Sequence, residues 1–346
     1  MKTLAAILVE TGKPLVLEEI EIPELKEGQV LVEVKYSGVC HTQVSECRGY
    51  RGHDAYLPHC LGHEGTGVVT AVGPGVTRVK EADPVLLSWM KGPGADVPGT
   101  VYSSPRGRIN AGGITTFGRH SVLSENRLTP LPSSISLSES AMLGCAVPTG
   151  VGAVFNTAQA KTGQSILVFG VGGVGLCAVA GAVLAGCNPI VAIDVNESKL
   201  RIAREMGATH CICLQQEQLV PSLEQISKSG FDIAIEASGR PVAMQQALES
   251  VRSMGGIAVI LGNARFGEEL KIDPRQLNQG KQLRGSWGGD NQPSRDFPRY
   301  VDYLLSGNLN VKPLISSIYS LSAINNAIDD LENGKVIRPL IDMDLH

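Results

Sequence analysis

Ser165-Ile166-Leu167-Val168-Phe169-Gly170-Val171-Gly172-Gly173-Val174-Gly175 is the stretch that decides the fold. Ile166 to Phe169 is an apolar run of strand length, and the segment through Ala178 to Ala185 has the composition of a helix. G-x-G-x-x-G alone is weak evidence. Between a strand and a helix, however, its glycines have separate jobs. Gly170 permits the tight turn, Gly172 lets the backbone approach a pyrophosphate, and Gly175 lets the helix pack close on the sheet. Gly173 completes the loop, and the helix N-terminus offers free amides to the anion. Nineteen residues past Gly175 stands Asp194, at the end of the next apolar run, where a carboxylate accepts both hydroxyls of an adenosine ribose. It would repel a 2′-phosphate. No Arg follows it immediately, although Lys199 lies one helical turn on, so NAD is expected rather than NADP. A glycine-rich turn in an unrelated α/β protein is the bland alternative, and it leaves the acid unexplained.

Outward from this loop, apolar runs of five to eight residues alternate with helical segments: Ser165 to Gly170, Pro189 to Asp194, His210 to Leu214, Phe231 to Ser238 and Gly256 to Leu261. That alternation predicts an α/β fold with a doubly wound parallel sheet. Residues 1–145 have another texture, rich in Val, Gly, Pro and Thr, with strand-like runs such as Gln29 to Tyr36 and Gly65 to Val72. This half is expected to be mainly β. The division predicted is 1–147 for a catalytic domain, 148–289 for the nucleotide-binding domain, and 290–346 for a segment returning to the first. That last segment carries an amphipathic helix from Leu321 to Glu332 and a strand from Val336 to Ile341. Lys91 to Gly113 reads as a long, glycine-rich surface loop.

The 346 residues include 30 Lys+Arg and 34 Asp+Glu, a formal net charge of −4, with 43% hydrophobic and 18% charged residues. That is an ordinary globular balance, long enough for two domains. Aromatics are 4% and the basic residues are scattered, so a nucleic-acid partner is not expected. Leu4 to Val9 is too short for a signal-peptide core, and five glycines interrupt the apolar run from Ile166 to Leu184. No membrane partner is expected, and cytoplasmic location is the default. Eight cysteines without framework spacing fit core thiols or metal ligands better than disulfides.

Cys40, His63 and Cys145 each sit among small residues: Gly38-Val39-Cys40-His41-Thr42, Gly62-His63-Glu64-Gly65, and Gly144-Cys145-Ala146-Val147-Pro148-Thr149-Gly150. Spacing alone would not make them a metal site. With the glycine-rich fingerprint and Gly334-Lys335-Val336-Ile337-Arg338, though, the chain resembles the zinc-containing alcohol dehydrogenases of the medium-chain dehydrogenase/reductase superfamily, over nearly its whole length. The resemblance implies a GroES-like catalytic domain beside a Rossmann domain. It implies that Cys40, His63 and Cys145 hold a catalytic zinc with an open fourth position, and that the zinc acidifies an alcohol whose hydride passes reversibly to NAD. The products would be an aldehyde or ketone. By the same resemblance Thr42 hydrogen-bonds the alcohol oxygen, Glu64 lies behind the metal, His41 and Arg338 contact the pyrophosphate, and Thr149 and Val174 line the nicotinamide face. Trp89 and Trp287 are candidates for the substrate pocket or for buried packing.

Two departures stand out. Many members hold a second, structural zinc with four closely spaced cysteines, yet nothing between Pro84 and Gly118 is cysteine, so one zinc per chain is expected. Ser45 stands where several members have a histidine that relays the proton to solvent, so a weaker shuttle, or one through water, is expected there. Cys47, His53, His59 and Cys60 are expected to be loop or core residues, and Cys177, Cys187, Cys211 and Cys213 core thiols. A polyol or amino-alcohol dehydrogenase is the alternative on this scaffold, although polyol members commonly have glutamate where Cys145 stands. A zinc hydrolase would have no use for the fingerprint and Asp194. A zinc-free enoyl or quinone reductase would leave the three ligands unexplained, and a non-catalytic nucleotide-binding protein predicts damage to them. Family members usually associate through the nucleotide domain, so a homodimer or homotetramer is expected.

Overall fold

The computed structural model describes residues 1–345 and divides into two compact units. One comprises Met1–Cys145, Gln292–Gly307 and the chain from Leu314 on; the other comprises Ala146–Asn291 with Asn308–Pro313.

The second unit is built on a six-stranded parallel sheet in the order His210–Cys213, Ile190–Asp194, Ile166–Phe169, Ile233–Glu236, Ile257–Ile260, Gln282–Gly285. By sequence that is 3-2-1-4-5-6, the doubly wound order of dinucleotide-binding folds. Ile166–Phe169 is buried at every residue, as a central strand covered on both faces must be. All five expected runs contain strands. The sixth, Gln282–Gly285, escapes sequence reading because Leu283 is its only large apolar residue. It is an edge strand, with Arg284 and Gly285 exposed, so no core demanded an apolar run. The helix after the glycine loop runs Gly173–Leu184, starting five residues before Ala178. Among the described residues no helix is long and apolar enough to cross a membrane.

The first unit holds a closed barrel of Lys2–Leu8, Val16–Glu21, Val101–Ser104, Gly107–Asn110 and His59–Cys60. Its second sheet runs Leu128–Pro130, Pro84–Ser88, Glu64–Val72, Gln29–Gly38, Leu340–Asp342, Ile318–Ser320, with His120–Ser124 also paired to Gln29–Gly38. The chain's return is thus a strand addition: Leu340 pairs with Gly38 and Asp342 with Tyr36. That strand begins at Leu340, four residues later than expected, because Val336 to Pro339 lie outside the ladder. The helix expected from Leu321 is a 3-10 turn, Leu321–Ala323, leading into an α-helix, Ile324–Glu332.

The segment from Lys91 to Gly113 is not the unbroken surface loop that its glycines suggest. Within it, Val101–Ser104 and Gly107–Asn110 pair as a hairpin and close the barrel. Tyr102 and Ile109 are paired and buried, and the Tyr102 hydroxyl accepts the Val122 N–H at 2.8 Å. One large residue per strand suffices here, because the barrel interior is filled from five strands at once.

Candidate metal centre and nucleotide loop

Three separate elements deliver the donor atoms. Cys40 follows the strand Gln29–Gly38 and caps the helix His41–Cys47 in an extended conformation. His63 immediately precedes Glu64–Val72, and the pairing of Ser37 with Gly65 brings it to the same sheet end as Cys40. Cys145 ends the 3-10 turn Ala141–Gly144, at φ −151° and ψ −61°. The ligand atoms of Cys40, His63 and Cys145 lie within 4.8 Å of one another, with His63 Nε2 3.2 Å from Cys145 Sγ. Tetrahedral zinc bonded to sulfur and nitrogen requires ligand atoms roughly 3.5 Å apart, so donor type and spacing both fit that ion.

The glycines around these residues are spatial requirements. A β-carbon at Gly38 would press on the Glu64 carboxyl, and one at Gly144 would meet Glu64 Cβ at 2.8 Å and the Leu87 carbonyl at 2.6 Å. Both make room for Glu64, which is fully buried and accepts Arg338 Nε at 2.7 Å. Burial pushes the Glu64 carboxyl upward, against the guanidinium's pull. Cys40 and Cys145 share a hydrogen bond that holds the Cys40 thiol well below its ordinary range and pushes Cys145 well above. Burial works against charging His63, yet its hydrogen bond with Cys40 and that residue's charge raise its pKa.

Gln43 was not legible in advance as part of this site. It is 1% exposed, its Oε1 accepts the Cys40 N–H at 3.0 Å, and its Nε2 lies 2.6 Å from His63 Nδ1. One amide thereby ties the Cys40 backbone to the His63 ring. The signal was its position three residues after Cys40, which places its side chain back over the helix start. On the same helix Thr42 is half-buried, its Oγ1 3.7 Å from Cys40 Sγ; Ser45 is half-buried and His41 exposed. Arg338, assigned by resemblance to the pyrophosphate, is 3% exposed and paired to Glu64.

The neighbouring candidates are accounted for otherwise. Burial pushes the Cys47 and Cys60 thiols up to about 12, and His59 Nε2 is paired with Asp54 at 2.8 Å. Cys40, His63 and Cys145 form the one such cluster found among the described residues. Cys177, Cys187 and Cys213 are buried as expected of core thiols, while Cys211 is only half-buried, its Sγ turned to the Leu200 carbonyl. Trp287 is not enclosed: it is 79% exposed, two residues beyond the edge strand Gln282–Gly285. Trp89 is half-buried.

In the second unit Gly170 has φ +80°, and a β-carbon there would meet Ser238 Cβ at 2.7 Å. A β-carbon at Gly175 would collide with the Gly170 carbonyl, whereas one at Gly172 would meet nothing. The first and third glycines therefore serve the chain's own packing; the second leaves its backbone open to a ligand. Asp194 accepts the Val171 N–H at 2.8 Å and the Asn196 N–H at 2.9 Å. Gly173 is buried; Val174 and Lys199 are half-buried. Thr149 Oγ1 is buried without a hydrogen-bond partner among the described residues.

Residues 26–133 match the family described as alcohol dehydrogenase GroES-like domain, and residues 173–306 that described as zinc-binding dehydrogenase. An S-(hydroxymethyl)glutathione dehydrogenase of Escherichia coli is 35% identical over 99% of this chain and all of its own. The chain belongs to the zinc-containing alcohol dehydrogenase family. Its fold class and superfamily follow: a GroES-like domain and a Rossmann domain of the medium-chain dehydrogenases. An alcohol dehydrogenase zinc-binding domain protein from Burkholderia ambifaria superposes with a TM-score of 0.92 at 29% identity, both chains fully covered. Benzyl alcohol dehydrogenase from Acinetobacter calcoaceticus gives 0.90 at 26% identity, with 99% of each chain covered. This member of the family is a zinc-dependent oxidoreductase of alcohols using a nicotinamide dinucleotide.

Proposed function

We propose that the protein oxidises primary or secondary alcohols to aldehydes or ketones, reversibly, with NAD in preference to NADP and one zinc per chain. The convergence of Cys40, His63 and Cys145 is the observation that carries this reading. Zinc held by those three side chains would supply the Lewis acidity that lowers the alcohol's pKa. Thr42, next to a ligand and at the first turn of its helix, takes the hydroxyl proton. Ser45, one helical turn along, hands it on through water. Glu64, neutralised by Arg338, sets the field behind the ligands. Preference for NAD is supported by Asp194, whose carboxylate stands beside the Val171 amide. His41 meets the pyrophosphate from an exposed position, Thr149 offers its unpartnered hydroxyl to the cofactor, and Val174 lines the nicotinamide.

The reading divides the chain functionally at 1–147, 148–289 and 290–346, and places the protein in the cytoplasm as a homodimer or homotetramer. Assembly is supported by the edge strand Gln282–Gly285, paired on one side only, with Trp287 beyond it 79% exposed. Small alcohols and carbonyls are the substrates. A spectrophotometric screen of both, following reduced nicotinamide with NAD and with NADP, tests the proposal. Turnover only with NADP, or none with any alcohol or carbonyl, would refute it.

A further inference from the structure

Glu236 ends the strand Ile233–Glu236, in register with Phe169, the last strand residue before the glycine-rich loop. Its side chain is completely buried. A single oxygen, Oε1, accepts three hydrogen bonds: from Ser238 N–H at 2.7 Å, from the Ser238 hydroxyl at 2.5 Å and from Gly239 N–H at 2.9 Å. The other oxygen, Oε2, is buried with no partner among the described residues. The turn so gathered is what Gly170 packs on. A β-carbon at Gly170 would lie 2.7 Å from Ser238 Cβ and 2.9 Å from its amide nitrogen. Gly262, at the end of the next strand, is pressed on Gly239, and a β-carbon there would lie 2.7 Å from Glu236 Oε2.

An enclosed carboxyl with one bare oxygen is a poor choice for stability alone, since apolar packing of equal volume would strand no polar atom. Burial pushes its pKa up against the pull of the Ser238 and Gly239 bonds. The geometry points to a different use: Glu236 is a positioning residue for the dinucleotide, holding the Ser238–Gly239 turn so that Gly170 and the loop after it keep their binding shape. Asp194 does the same from the other side through the Val171 amide, so two carboxylates, from the strands on either side of Ile166–Phe169, bracket the loop. The inference rests on the dinucleotide-dependent reading above.

The test uses the full-length, zinc-loaded protein and three variants, Glu236→Ala, Glu236→Gln and Ser238→Ala. NADH and NADPH dissociation constants, KM and kcat, melting temperature and zinc content are measured for each. Glu236→Ala is expected to raise the dissociation constant and KM for the dinucleotide about tenfold, with kcat at saturation within about threefold and zinc content unchanged. Glu236→Gln keeps an acceptor oxygen for all three donors and is expected to restore binding to within about threefold. Ser238→Ala, which keeps Cβ and loses one bond, is expected to weaken binding about threefold and decides the matter with Glu236→Gln if the first variant does not fold. A purely structural role would lower the melting temperature while leaving the folded protein's affinity untouched. Wild-type affinity in folded Glu236→Ala, or equal loss in the Ala and Gln variants, overturns the inference alone. A wild-type protein that binds neither dinucleotide overturns the parent reading as well.

Discussion

Arg338 and Glu64, 274 positions apart in sequence, meet as a fully enclosed ion pair directly behind two clustered donors, with Nε and Nη2 of the guanidinium both on Oε1. Neither partner would tolerate isolation there. A carboxylate or guanidinium out of water needs a counter-charge, and each supplies the other's. Replacing Arg338 by Met is therefore expected to cost about 3–5 kcal/mol in denaturant unfolding, because it leaves Glu64 buried alone. Adding Glu64→Gln to that variant should recover part of the loss. Strictly additive effects would mean the two side chains are uncoupled.

Metal analysis of the purified protein should give close to one zinc per chain. Cys145→Ser should lose most of it, since hydroxyl is a far weaker zinc ligand than thiolate. Two equivalents would overturn the single-site reading, and full retention by Cys145→Ser would remove that residue from the ligand set.

Asp194 carries two tasks, which changes how its role should be tested. Ala at this position frees the Val171 and Asn196 amides as well as any ribose contact, so it weakens both cofactors. Asn keeps an acceptor for the loop. Asp194→Asn with Val195→Arg, at an exposed position, should raise the NADP-to-NAD ratio of kcat/KM by about tenfold or more. An unchanged ratio would mean the carboxylate does not read the ribose.

Glu125, 2% exposed, accepts N–H bonds from Ala95 at 2.8 Å, Thr77 at 3.0 Å and Arg78 at 3.2 Å. Burial alone would raise its pKa, yet these donors pull it below the ordinary value of 4.5. Because the folded value is the lower one, the stabilisation is present above pH 4.5 and drains away as pH falls through the folded pKa. Glu125→Gln should lose about 1–3 kcal/mol at neutral pH and show a shallower fall in stability below pH 4.5. Parallel stability curves for wild type and variant between neutral pH and pH 3, on the order of the span over which such a carboxylate protonates, would contradict this.

Some elements were hidden from the sequence for identifiable reasons. The hairpin around Tyr102 and Ile109 has one buried anchor per strand in glycine-rich surroundings, so no periodic pattern announces it. The edge strand Gln282–Gly285 has one covered face at most, and Gln43 looks like any surface amide until Cys40 and His63 close around it.

What the sequence by itself determined is local: the strand, the glycine loop and the acid at Asp194 follow from backbone sterics and hydrophobic spacing within about 30 residues. Only the tertiary structure decided that Cys40, His63 and Cys145 converge, that Gln43 ties two of them together, and that Arg338 stands behind Glu64. Apart from the Cys40–Gln43 bond, those are contacts across 20 to 274 positions. Neither chain spacing nor propensity encodes them, because they arise only when the strand pairing between Gln29–Gly38, Glu64–Val72 and Leu340–Asp342 fixes which side chains share one end of a sheet.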